Sequence, residues 1–236
     1  MIKFKTKILK VSEAPEGVWT YALEIPQGFG WDEGTHMHVA NLGFDEGDAP
    51  NRDQIRHMSV MSLPTEGYLG FTTKIDAEPS EFKSVLKDLK EGDSLVLFKF
   101  GSRMVLRREE RPILLLSMGV GIATMRPLIL KYKEDRRGIS ELYSINVNGD
   151  GDYVYYDEIE PLVGDGFDTV WCRHRTEYYE RLSDLVKAKN PICYVVGNDA
   201  FIKEHILKLR NLKVSDNDII VDKKQEIRRD YYHLRD

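Results

Sequence analysis

The residues best placed to do chemistry in this chain are two glycines, Gly119 and Gly121. They lie in Arg111-Pro-Ile-Leu-Leu-Leu-Ser-Met-Gly-Val-Gly-Ile-Ala-Thr-Met-Arg-Pro-Leu-Ile-Leu130, where a short apolar run enters a turn and leaves as an amphipathic segment. That order reads as strand, turn and helix. Without Cβ atoms the turn lets a ligand reach the backbone, and the unpaired N–H groups opening the helix favour an anion such as a dinucleotide pyrophosphate. The usual dinucleotide fingerprint has a third glycine where this chain has Thr124, so glycines kept for tight βα packing are an equal reading. Metal chemistry is not expected. His36 and His38 share a strand face without a third ligand at metal spacing, and Asn148-Gly-Asp-Gly-Asp152 lacks the terminal glutamate of a calcium loop. The two cysteines, Cys172 and Cys193, are too few for an iron-sulfur cluster and lack zinc spacing.

The elements that must hold such a turn follow from hydrophobic periodicity. At 236 residues, 42% hydrophobic and 31% charged, the chain has room for two domains with real cores. Up to about Leu106 the pattern alternates with period two, in Ile2-Phe4-Thr6-Ile8 and in Trp19-Tyr21-Leu23-Ile25. Further strands are expected at 36–41, 56–61, 69–75 and 94–98, together an antiparallel β-barrel, with one helix over 81–89 after Ser80. From Arg111 the rhythm changes to alternating strands and helices, which implies a parallel sheet. Strands are expected near 113–117, 141–146, 168–172, 192–196 and 218–221, with helices at 122–133, 178–188 and 199–212. The expected fold is therefore an antiparallel β-barrel over 1–108 followed by a parallel α/β domain over 109–236. A net charge of -5 argues against nucleic acid or a membrane surface as partner, and the longest apolar run, 113–123, is too short to span a bilayer. The alternating N-terminus does not read as a signal peptide, so a cytoplasmic protein is expected.

A barrel followed by a nucleotide-type half directs attention to particular residues in the first half. Arg56-His57-Met58-Ser59, on an expected strand, resembles the Arg-x-Tyr-Ser signature of the ferredoxin-NADP reductase superfamily. Phe71-Thr72-Thr73-Lys74-Ile75 follows at the corresponding place, then Ser80-Glu-Phe-Lys83 with Leu86, Leu89 and Gly92-Asp93. Gly119-Val-Gly-Ile122 and Tyr194-Val-Val-Gly-Asn198 complete the series, so the resemblance spans nearly the whole chain.

The resemblance implies a flavin on the barrel and a nicotinamide nucleotide on the second domain. It makes Arg56 the partner of a flavin phosphate and places Ser59, the candidate catalytic residue, beside the reacting ring. Arginine offers phosphate a fixed fork of donors, and a small hydroxyl residue can hydrogen-bond a flavin without blocking hydride approach. The bland alternatives are a rim salt bridge for Arg56 and a strand contact for Ser59. Met58 stands where relatives have an aromatic residue, and its thioether can cover a ring by dispersion. With His57 it joins the cofactor-binding candidates, as do Phe71, Thr72, Thr73 and Lys74, which are also readable as an ordinary strand. Ser84 is the candidate hydroxyl for a flavin phosphate at the start of the helix, with Lys83 an equally placed alternative. Gly119, Gly121, Ile122, Thr124, Gly197 and Asn198 would admit the nicotinamide nucleotide, although Asn198 and Asp199 also read as a helix cap. Val196 stands where the family has a cysteine. Arg173 and Arg175 favour NADP over NAD, and family habit favours FAD over FMN. The expected activity is hydride transfer between NAD(P)H and FAD, with electrons passing to a separate acceptor such as ferredoxin or flavodoxin, or to a small molecule. The alternative is a flavin- or nucleotide-binding electron-transfer or regulatory subunit with little activity alone. Arg103, Arg107 and Arg108 are candidates to receive an acidic partner, and Tyr231 or Tyr232 to cover the flavin.

Overall fold

The computed structural model describes residues 2–223, and the chain divides into two compact units, one ending at Ser102 and the other beginning at Arg103. The first unit contains β1 (Lys3–Glu13), β2 (Val18–Leu23), β3 (Thr35–Ala40), β4 (Ile55–Ser59), β5 (Leu69–Lys74) and β6 (Ser94–Ser102). They form one antiparallel sheet in the order β4-β3-β6-β1-β2-β5. Just beyond β4, the Met61 N–H donates to the Gly70 carbonyl of β5 at 2.8 Å, so the two outer strands meet and the sheet curls into a half-barrel. Period-two alternation sends Tyr21, Leu23, Met37, Val39, Leu69, Phe71, Leu95 and Leu97 into one core. The helix α1 (Glu81–Asp88) closes that core with Phe82 and Leu86, one turn apart on its inner face. Its last turn is held from below, where the Tyr21 hydroxyl donates to the Leu86 carbonyl at 2.9 Å.

The second unit is a parallel sheet of β7 (Arg111–Met118), β8 (Ile139–Val147), β9 (Phe167–Cys172), β10 (Ile192–Val196) and β11 (Ile219–Val221), in the order β11-β10-β7-β8-β9. Between the strands run α2 (Ile122–Glu134), α3 (Tyr156–Ile159), α4 (Arg175–Lys189) and α5 (Asp199–Asn211). The central strands are buried on both faces, which is why their sequences are continuously apolar rather than alternating. From β7 the chain steps to β8 and β9 on one side, then crosses back to β10 on the other. The strand order thus reverses between β7 and β10, the place where open α/β sheets take ligands.

One feature departs from the sequence reading. The short helix α3 falls in the segment after β8, where turn residues were the dominant signal. The basic stretch before β7 is tied down by ion pairs, with Arg111 reaching both Asp218 oxygens at 3.0 Å and Arg107 pairing with Glu109. Arg108 donates to the carbonyls of Asp135 and Arg137, so these guanidinium groups are engaged within the second unit. Among the described residues, no helix is long and apolar enough to cross a membrane. Tyr231 and Tyr232 lie outside the described residues.

Candidate functional site

In the first unit a cavity of about 480 Å³ gathers residues from three elements. From β4 come Arg56, His57 and Met58, from β5 Thr73, and from the approach to α1 and its first turn Asp76, Glu78, Ser80 and Lys83. Strand parity explains the choice of side chains. Arg56 and Met58 pair across to Val39 and Met37, which point into the core, so they emerge on the barrel's inner face. Thr73 shares a face with Phe71 two residues earlier. The outward-facing set differs: His57 pairs with His38 and lies 4.5 Å from the His36 ring, while Ser59 pairs with His36 and Lys74 is exposed. The Thr72 hydroxyl meets that of Thr20 at 2.8 Å.

The cavity is built for an anion at one end. Arg56, which lines the cavity, is fixed by Nη1 donating to the carbonyls of Asp53 at 3.1 Å and Ile55 at 2.7 Å, and its other nitrogens carry further donors. Lys83 donates to the Lys74 carbonyl. Burial pushes the Lys83 ammonium below its ordinary pKa, Asp76 pulls it back up, and Arg56 lowers it further by like-charge repulsion. Arg56 and Lys83 share the half-buried cavity with the carboxylates of Asp76 and Glu78, so the two cations offer an anionic ligand points of attachment without giving the cavity a net positive charge. Ser80, at the N-cap of α1, makes no capping bond, and its buried Oγ has no hydrogen-bond partner. That orphaned hydroxyl and the open N–H groups of the first helical turn are donors of the kind that phosphate oxygens accept from.

In the second unit, the turn after β7 and the turn after β10 sit side by side at the switch point. Gly119 has a φ of +51°, which a side chain would strain, whereas a Cβ on Gly121 would come within 3.0 Å of the Val196 carbonyl. A Cβ on Gly197 would meet Phe201 Cδ1 at 2.5 Å. Packing alone therefore accounts for Gly121 and Gly197, while Gly119 answers to backbone conformation. Asn146, buried at the end of β8, donates to Ser117 Oγ at 2.8 Å and to the Gly119 carbonyl at 3.3 Å, holding the first turn in place. Asn198 caps α5, its Oδ1 accepting from the Phe201 N–H at 2.9 Å, and Asp199 pairs with Lys223. Ile122 and Thr124 are buried in the opening turn of α2. Arg173 stands exposed after β9 with its guanidinium against Gly151, and Arg175 pairs with Glu204 at 3.2 Å.

Solved structures share this architecture over almost the whole chain. A ferredoxin-NADP reductase from Neisseria gonorrhoeae with bound FAD and NADP aligns with a TM-score of 0.78 at 16% identity, covering 93% of this chain and 98% of that one. The fold is the ferredoxin-NADP reductase fold. A cytochrome P450 reductase from Amycolatopsis aligns at 0.77 and 14% identity over 94% of this chain and 69% of its own. The ferredoxin-NADP reductase from Plasmodium falciparum aligns at 0.73 and 15% identity, over 94% of this chain and 96% of its own. No protein-family model and no curated protein matches the chain. At these identities the likeness is one of reductase fold.

Within that reductase fold, the sequence candidates divide. Arg56, His57, Met58 and Thr73 line one cavity, whereas Ser59, Thr72 and Lys74 are not among its lining residues. Phe71 is fully buried and stacks on Tyr21 with 5.1 Å between ring centroids, so its side chain belongs to the core. Ser84 is exposed on α1, and Lys83 takes the cavity position, because Phe82 and Leu86 set the helix's inward face. Ser80, Asp76 and Glu78 were missed as site residues. An N-cap serine directly before an amphipathic helix was the available signal for Ser80, while the two acids gave none.

Proposed function

We propose that this protein is a flavin-dependent NAD(P)H oxidoreductase that holds FAD in its first unit and a nicotinamide nucleotide, NADPH in preference to NADH, in its second. The observation that carries this reading is the cavity that brings Arg56, Lys83, Ser80 and the N-terminus of α1 together beside Met58 and Thr73. Arg56 and Lys83 would clamp the diphosphate, with Ser80 Oγ as a further hydrogen-bonding partner. Met58 would cover the ring system by dispersion. FAD bound there would supply the hydride acceptor and the electron store of the reaction. Ser59, whose side chain lies on the strand's outer face, would reach the reacting ring edge through its backbone. In the second unit, the turns at Gly119–Gly121 and Gly197–Asn198 would receive the nucleotide, and Arg173 and Arg175 would supply charge to a 2'-phosphate. Electrons would then leave to a separate acceptor, a ferredoxin, a flavodoxin or a small molecule. Both cysteines are free and buried, in keeping with a reducing, cytoplasmic setting.

Anaerobic mixing of the FAD-reconstituted protein with NADPH and, separately, NADH tests the proposal. Rapid loss of oxidised-flavin absorbance, faster with NADPH, is the expected result. A chain that retains neither FAD nor FMN overturns it. The Val196 carbonyl and side chain pack against Gly121 at the position where the resemblance places a cysteine, and this favours one second reading. In it the chain is an electron-transfer subunit whose bound flavin neither nucleotide reduces.

A further inference from the structure

We propose that Asn41, one residue beyond β3, is a positioning residue that sets the spacing of the two cations, Arg56 and Lys83, at the phosphate end of the cavity. The proposal rests on the flavin reading for its ligand and on the first unit's own bonds for its geometry. Asn41 is 2% exposed, and its Nδ2 donates to Gln54 Oε1 at 2.6 Å and to the Phe82 carbonyl at 3.2 Å. Its backbone N–H donates to the Gln54 carbonyl at 3.2 Å. Gln54 closes the short turn that leads into β4, and its Nε2 donates to Glu81, the first residue of α1. One side chain thus joins the end of β3, the start of β4 and the opening turn of α1.

The two cations hang from the parts so joined. Arg56 follows Gln54 by two residues and is held by carbonyls of that same turn, those of Asp53 and Ile55. Its guanidinium carbon lies 5.8 Å from the Phe82 ring centroid, over the residue whose carbonyl Asn41 grips. Lys83 is the next residue along. Arg56 and Lys83 carry like charges, so nothing in their own interaction keeps them at the separation a diphosphate needs. Asn41 Oδ1 is buried with no hydrogen-bond partner. An apolar residue would avoid that cost, so the two donors are the property that the position retains.

A double-mutant cycle on FAD binding separates positioning from general structural support. The full-length wild type, Asn41→Leu, Lys83→Met and the double variant are titrated with FAD and with inorganic pyrophosphate, each variant first checked for native circular dichroism. Asn41→Leu is expected to weaken FAD binding by about tenfold in the wild-type background and by no more than about twofold in the Lys83→Met background. Gln54→Met, which removes the brace from its half-buried end, is expected to show the same pattern, and decides the matter should Asn41→Leu fail to fold. Equal losses in both backgrounds, or no loss in either, overturn the proposal. A wild type that binds pyrophosphate and not FAD overturns the flavin reading, and the pyrophosphate cycle then decides on Asn41. A wild type that binds neither overturns both.

Discussion

Lys83 and Ser84 are neighbours in the chain with opposite surroundings, one in the cavity with Arg56 and the other facing solvent on α1. Lys83→Met should therefore raise the FAD dissociation constant about tenfold or more, the range for losing a charge-assisted phosphate contact. Ser84→Ala should change it less than about twofold. Fluorescence titration of the apoprotein measures both, and the reverse ranking would remove Lys83 from the site. That one-residue choice was only half legible in the sequence. Family pattern located the helix start, but its rotation is set by Phe82 and Leu86 going inward. Strand parity carried more information than was drawn from it. Arg56, Met58 and Thr73 share the barrel's inner face, and period-two alternation alone separates them from Ser59, Thr72 and Lys74. The cysteines give a second prediction at this scale. Burial pushes the Cys172 thiol up to about 11 and the Cys193 thiol further, so neither offers a thiolate near neutrality. A thiol-reactive disulfide reagent should label neither in the native protein and both in denaturant. Fast labelling in the native state would contradict that burial.

At the scale of elements, the turns after β7 and β10 show why glycine spacing was an ambiguous signal. Gly119 is held at positive φ with open space around it, so Gly119→Ala should cost only the strain of a left-handed alanine, about 1 kcal/mol. Gly197 has no such freedom, because the first turn of α5 presses Phe201 against it. Gly197→Ala should cost about 1–3 kcal/mol, the range for overpacking a closed contact. Urea unfolding of the two variants measures the difference, and equal costs would show that Phe201 yields. A dinucleotide fingerprint and a close-packed βα turn call for the same residue at Gly121, and only the neighbouring strand tells them apart. That neighbour, Val196, lies far away in sequence. The strands and long helices were legible throughout, the barrel strands and the helices by their periods and the central parallel strands as short apolar runs between turns. Helix α3 was not, because four residues between turns are too few to show a period.

At the scale of the whole molecule, buried His205 and half-buried Asp222 in the second unit shift stability with pH in opposite senses. Burial holds the His205 imidazole neutral, down to about 4, and its ring nitrogens lie 2.7 Å from the Phe201 carbonyl and 2.9 Å from the Tyr178 hydroxyl. The unfolded chain takes up that proton below the ordinary histidine range, so stability falls as pH drops from about 6.5 towards 4. Asp222 behaves in the opposite sense. Burial pushes its carboxyl up to about 6, against the pull of Arg103 and Lys223. The folded chain then binds this proton first, and stability rises as pH falls from about 6 towards the ordinary carboxylate range. Each contributes about 3 kcal/mol over its window, so the wild type should change little between about pH 6 and 4.5 from these two groups. Asp222→Asn removes the counterweight and should lose about 2 kcal/mol across the same interval. Urea midpoints at the two pH values test this, and parallel slopes for wild type and variant would refute the opposition. Neither group was legible in advance, because a lone histidine or aspartate acquires its burial only from the completed sheet and its helices. The bond between Met61 and Gly70 bears on how copies of the chain behave when crowded. By turning the outer strands of the first sheet toward each other, it withdraws the rim on which a second chain could add a strand. Among the described residues, the outer strands that remain open to such pairing are those of the parallel sheet, β9 and the three residues of β11.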